Sequence, residues 1–71
     1  MHRVYSEEEA MRDRIVAVPF NADSEGGSAV HFLPGEKLTN LREHGPEVDF
    51  DSDKGRCTCK TSTLLWATTE G

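Results

Sequence analysis

This chain is short of basic residues, aromatics, cysteines and long apolar runs. Lys and Arg number 8 against 13 Asp and Glu, a formal net charge of −5. A protein that grips the phosphate backbone needs a cationic footprint, so general nucleic-acid binding by this chain is not expected. Aromatics are 7% of the residues (Tyr5, Phe20, Phe32, Phe50 and Trp66), with no basic residues interleaved to build a base-stacking platform. No apolar run approaches the ~18 residues of a membrane-crossing helix. The charged N-terminal stretch does not read as a signal peptide. The two cysteines, Cys57 and Cys59, are too close in sequence for an unstrained bridge along an extended strand. A disulfide scaffold is therefore not expected, and an intracellular, reducing compartment is. Gly26-Gly27 lacks the Lys-Ser/Thr tail and following helix of a phosphate loop.

What is present fits one small domain of 71 residues. Leu, Ile, Val and Phe together make 14 of the 71, close to the border below which charged chains stay disordered. Ordering each residue costs roughly 1.5 kcal/mol, so the margin for folding is thin. Small domains usually gain stability from a disulfide, a metal or a partner, and here a partner is the expected source.

Residues 1–28 read as an N-terminal extension and residues 29–71 as a small β domain. Ser6 followed by Glu7, Glu8 and Glu9 has the form of a capping box, so the segment reads as a short helix from Glu7 to Arg14 or as a solvated tail. Ile15, Val16 and Val18 are β-branched and favour a strand, which Pro19 should end or hold at an edge. Residues 21–28 are polar and glycine-containing and predict a loop. Ala29–Leu33 reads as a strand, broken at Pro34-Gly35-Glu36, where Pro fixes φ and Gly can take φ > 0. Leu38 and Leu41, three apart, fit a helical turn or a bulged strand. Glu47–Asp51 alternates, with Val48 and Phe50 inward, and Arg56–Thr61 alternates with both cysteines on one face. Thr63–Thr68 predicts a last, buried strand. The expected fold class is all-β: a meander, barrel or sandwich of about five or six short strands with a short N-terminal helix.

No residue set assembles a convincing reactive centre. Glu47, Asp49, Asp51 and Asp53 alternate along the chain. A calcium loop starting at Asp49 needs Gly at its sixth position and Glu at its twelfth, where this chain has Lys54 and Lys60. The ladder reads instead as an exposed strand face that discourages edge aggregation, or as charge that meets a basic partner. Cys57, Cys59, His31 and His44 lack the knuckle spacings of a zinc site, and the cysteines read as small buried hydrophobes. Cys57 with His31 has no third orienting group to make a nucleophile. No catalytic residue, metal or cofactor is assigned. Of the apolar residues Leu33, Leu38, Leu41, Leu64, Leu65 and Trp66, most must be core. Leu65 and Trp66 lie in a run that a miniature fold cannot bury on both faces, so Trp66 either completes the core or belongs to a face that becomes a docking candidate.

The stretch Phe32-Leu33-Pro34-Gly35-Glu36-Lys37-Leu38-Thr39-Asn40-Leu41-Arg42-Glu43 resembles the opening of the CSL-type cap subunit of the RNA exosome. The similarity continues through the Gly45-Pro46 turn, Phe50, Gly55, the small residues Thr61, Ser62 and Thr63, and Leu64-Leu65, covering about residues 30–67. Glu47-Val48 replaces the glycine expected after the Gly-Pro turn, and Arg56–Lys60 is more polar than in that family. The resemblance implies a small β domain that precedes an S1 RNA-binding domain and anchors it, without catalysis, to the RNase PH-like ring in nucleus and cytoplasm. This chain is then the N-terminal region alone or a reduced relative.

The expected function is thus a non-catalytic protein-binding module for RNA processing. Its partner-binding residues are Leu33, Pro34, Gly35, Glu36, Leu38, Leu41, Glu43, Leu65 and Trp66. The alternative expectation is a stand-alone acidic protein that inhibits a nucleic-acid enzyme by placing carboxylates where phosphates sit.

Overall fold

A computed structural model describes residues 8–71. Eight strands and one helix follow in the order β1 (Glu8–Met11), β2 (Arg14–Val16), β3 (Phe20–Ser24), β4 (Ala29–Phe32), β5 (Lys37–His44), β6 (Glu47–Ser52), β7 (Gly55–Lys60), α1 (Thr61–Ala67) and β8 (Thr68–Glu70). The fold is all-β, a single antiparallel sheet curled into a half-barrel. Along the sheet the order is β4-β3-β7-β6-β5-β2-β8, and β1 pairs with β5 beyond the end of β2.

The strand count exceeds the expected five or six because the N-terminal stretch joins the sheet. Over Glu8–Met11 and Arg14–Val16 the backbone is extended, not helical. An isolated helix of two turns is marginal in water. β5 is eight residues long, and its open side offers both segments a full ladder of backbone hydrogen bonds. Met11 comes opposite Leu41, and Arg14 opposite Leu38. The capping box at Ser6 lies outside the described residues. Residues 21–24 are likewise strand rather than loop. Phe20 and Ala22 point inward while Asn21 and Asp23 are exposed, an alternation that polar composition had hidden. The division at residue 28 does not mark a boundary in the sheet, because Val16, Phe20 and Ala22 belong to the same core as the later strands.

From β5 to β7 the strands form two antiparallel hairpins. Glu47–Ser52 pairs residue for residue with Gly55–Lys60. β5 resolves the ambiguous Leu38/Leu41 spacing as a bulged strand. Its pairing with β6 shifts between Thr39 and Arg42, and Asn40 inside the shift has φ 52°. The extra residue lets Leu38 and Leu41 both face inward despite their spacing of three.

The segment expected as a last strand is the helix α1. Leu64 and Ala67, three apart, are fully buried on one face of it, the spacing of a helical stripe. Its C-terminal end is closed by Thr68, whose N–H and Oγ1 both donate to the Leu64 carbonyl. The reading of Thr63–Thr68 as a buried strand fails because Leu65 and Trp66 point outward together while Leu64 and Ala67 are buried.

Three rings form the centre of the core. Phe20 stacks on Phe32 with centroids 5.3 Å apart, and Phe50 meets Phe32 edge-on at 5.5 Å. Val16, Ala22, Leu38, Leu41, Val48, Cys57, Leu64 and Ala67 complete it.

Candidate functional site

The hydrophobic effect leaves few large apolar side chains on this surface, and those few are informative. Leu33 is 52% exposed, Leu65 51% and Trp66 68%. Leu33 begins the turn after β4. Leu65 and Trp66 lie on the outer side of α1, opposite Leu64 and Ala67.

One short segment, residues 16–18, ties these two places together. On one side the Gly35 N–H donates to the Val16 carbonyl at 2.8 Å, and the Val16 N–H to the Glu36 carbonyl at 2.9 Å. On the other the Ala17 and Val18 N–H groups both donate to the Ala67 carbonyl, at 2.7 and 2.9 Å. The Leu33–Glu36 turn and the C-terminal end of α1 therefore flank the same three residues. Gly35 takes φ 98° in that turn, a conformation nearly closed to side-chain-bearing residues. Ala17 and Pro19 beside it are exposed.

Glu36 is held by its surroundings rather than presented freely. Its Oε2 accepts from Lys54 Nζ at 2.6 Å and from the Leu33 N–H at 2.8 Å. The hydrogen bond from Lys54 and then that from Leu33 keep its carboxyl below the usual glutamate range. Leu38 and Leu41, expected as docking residues, are 0% and 1% exposed. This is a correction: both are core, and neither offers surface to a partner. Glu43 is half-buried on β5 between β1 and β6, away from the Leu33–Glu36 turn in the sheet order.

The acidic ladder is largely answered from within. Burial pushes the Asp49 carboxyl up, but hydrogen bonds from Thr58 and His44 outweigh it and hold the group below its usual value. His44 Nε2 is 3.1 Å from Asp49 Oδ2. Asp51 is also held low, by Arg56 Nη1 at 2.9 Å and then Asn40 Nδ2 at 3.1 Å. Of the four, Glu47 and Asp53 are exposed and Asp49 and Asp51 half-buried. A phosphate mimic needs a row of unsatisfied carboxylates, and the two central members of this one already have donors.

Neither thiol is poised for chemistry. Burial raises the Cys57 thiol, and burial followed by the neighbouring Cys57 pushes Cys59 up to about 12. A thiol so placed is protonated and poorly nucleophilic at neutral pH. His31 Nδ1 lies 2.6 Å from Asn21 Oδ1 on β3. Among the described residues no group of three or more His, Cys, Asp or Glu is arranged to hold a metal ion, and no helix is long and apolar enough to cross a membrane. A cavity of about 160 Å³ lies among Asp13, Arg14, Ile15, Lys37, Thr39 and Gly71. Ligand pockets usually enclose about 300–1,000 Å³. Arg14 in its wall is already bound to Thr68 through Nε and Nη2.

Sequence reasoning reached Leu33, Leu65 and Trp66 but missed the segment that joins them. Val16, Ala17 and Val18 carry no functional signature, and their role lies in backbone hydrogen bonds. Comparison with protein families, with curated proteins and with solved structures finds no match to this chain.

Proposed function

We propose that this chain is a non-catalytic protein-binding module that docks through Leu33, Leu65 and Trp66. The observation that carries the reading is the exposure of these three side chains at two places anchored to the same segment, residues 16–18. Trp is the residue most enriched at interface hot spots, and its loss there removes a large share of the binding energy. A stable interface covers about 800 Å² per partner. Against a total surface of 4748 Å², the three side chains are then the centre of a wider face that takes in the exposed Ala17 and Pro19.

The finer proposal concerns the partner. The resemblance of residues 30–67 to the exosome cap subunit makes the RNase PH-like ring the partner to test, and the net charge of −5 fits a module that leaves RNA to other domains. This part rests on the resemblance, whereas the docking face rests on geometry. The internal donors on Asp49 and Asp51 weigh against the charge-mimicry alternative.

The test is a biosensor measurement with purified RNase PH-like hexamer. The reading expects saturable binding, weakened at least about tenfold by Trp66→Ala, and no binding of the chain alone to single-stranded RNA. Absence of binding overturns the choice of partner. Binding that Trp66→Ala with Leu65→Ala leaves intact overturns the docking face.

A further inference from the structure

β4 ends the sheet path, with β3 on one side and no strand on the other among the described residues. Two of the backbone groups on that open side are occupied by side chains. The Leu33 N–H donates to Glu36 Oε2 at 2.8 Å, and the His31 carbonyl accepts from Lys54 Nζ at 2.8 Å. The same two side chains are joined to each other at 2.6 Å, and the Lys54 ammonium lies 4.8 Å from the centre of the Phe32 ring. An acceptor on one N–H and a donor on the carbonyl two residues earlier is the pattern a neighbouring antiparallel strand would supply. The Glu36–Lys54 pair thus stands in for a missing strand, with Glu36 coming from the turn after β4 and Lys54 from the turn between β6 and β7.

In a β ladder the N–H and carbonyl of one residue face the same side, and the sides alternate along the chain. His31 and Leu33 therefore face the open edge, and Ala29 with them. The segment Ala29-Val30-His31-Phe32-Leu33 contains no Asp, Glu, Lys or Arg. A second copy laid antiparallel about a two-fold axis, His31 opposite His31, meets no repulsion between fixed charges. In that register Ala29 faces Leu33 of the copy, covering a side chain that stands 52% exposed. About four backbone hydrogen bonds join the two edges, since the Leu33 carbonyl already accepts from the Glu36 N–H at 3.3 Å. Pairing ends at Leu33, because the next residue in that alternation, Gly35, takes φ 98° in the turn and donates its N–H to the Val16 carbonyl.

We propose that the β4 edge is a self-association site for a second copy of this chain, held closed by the Glu36–Lys54 pair. Charged side chains commonly guard sheet edges against such pairing; here the guard acts by direct hydrogen bonds to the backbone groups a partner strand needs. The proposal rests on the β4 edge alone: it shares Leu33 with the docking face, but Leu65 and Trp66 take no part in it.

Sedimentation velocity from micromolar to millimolar concentration tests it. The wild-type chain is expected to stay monomeric. Glu36→Ala combined with Lys54→Met, which keeps an unbranched stem over Phe32, is expected to double in mass reversibly as concentration rises. Adding Ala29→Pro, which deletes an outward N–H at the first position of the strand, should return the double variant to monomer. A double variant with wild-type circular dichroism that remains monomeric overturns the proposal, as does a dimer that survives Ala29→Pro. If the double variant fails to fold, Lys54→Met alone frees the His31 carbonyl. Doubling of its mass supports the proposal, and a monomer at millimolar concentration overturns it.

Discussion

Replacing Phe50 by alanine and Trp66 by alanine separates the side chains that hold this fold from those it presents. Phe50 is 0% exposed and packs against Phe20 at 6.4 Å and Phe32 at 5.5 Å. Truncating a buried Phe to Ala costs about 3–5 kcal/mol, cavity included. A domain of this length has a total stability of about 4–11 kcal/mol, so Phe50→Ala removes a large part of it. Phe50→Leu keeps most of the volume and loses mainly the ring pairings, about 1–2 kcal/mol, or roughly 5–15 °C in Tm. Trp66 is 68% exposed. The third of its side chain that is covered amounts to about 60–80 Å², at most about 2 kcal/mol as an upper bound. Urea unfolding followed by far-UV circular dichroism suits all three variants, because Trp66 is the chain's single tryptophan and its fluorescence cannot follow its own removal. The expected ranking is Phe50→Ala well below Phe50→Leu, with Trp66→Ala near or above Phe50→Leu. A Trp66→Ala variant as destabilised as Phe50→Ala would refute the assignment of Trp66 to the surface, and with it the docking face.

Further outcomes follow from individual contacts. Glu36, Asp49 and Asp51 are all held below their ordinary values of 4.5, 3.8 and 3.8, so the unfolded chain binds more protons than the folded one in acid. Their stabilisation is complete above those values and is lost as pH falls through the lower folded values, so the urea midpoint should be flat down to about pH 5 and drop below it; a midpoint that rises on acidification contradicts this. Asn40 has φ 52° and donates to Asp51. Asn40→Ala should therefore destabilise by about 1–2 kcal/mol, and Asn40→Gly by clearly less, in the same unfolding assay. Both thiols are raised by burial, Cys59 to about 12, so Ellman's reagent at pH 8 should react slowly with native protein and rapidly once denaturant is added; prompt native reaction of either thiol would contradict the burial described.

The β hairpins from β5 to β7 were legible because one face is buried and the other is wet. Val48 and Phe50 alternate with carboxylates, and a two-residue period has one structural meaning there. The Pro34-Gly35 turn was legible because proline and positive-φ glycine have few other uses. Three elements were not. The carboxylates of Glu7, Glu8 and Glu9 suit a helix start, yet the long open side of β5 supplies hydrogen bonds that local propensity cannot anticipate. Phe20 and Ala22 were masked by polar neighbours. The Thr63–Thr68 run contains buried and exposed apolar residues side by side, and short apolar runs do not reveal their period. Of the expected docking residues, Leu33, Leu65 and Trp66 kept their exposure. Leu38 and Leu41 were drawn inward by a bulge at Asn40, one of the two conformations that their spacing of three had left open. The Glu36–Lys54 pair joins residues 18 apart in sequence, so only the folded sheet brings it into view.

The central claim is that Trp66 and its neighbours form a surface made for a protein partner. Incorporating 5-fluorotryptophan at the single tryptophan position gives one ¹⁹F resonance that reports this side chain alone. Adding unlabelled RNase PH-like hexamer should shift and broaden that resonance saturably, while an equal amount of single-stranded RNA leaves it in place. A signal that stays sharp and unmoved at excess hexamer would contradict docking on that ring, and a complex that forms without moving it would contradict the role of Trp66.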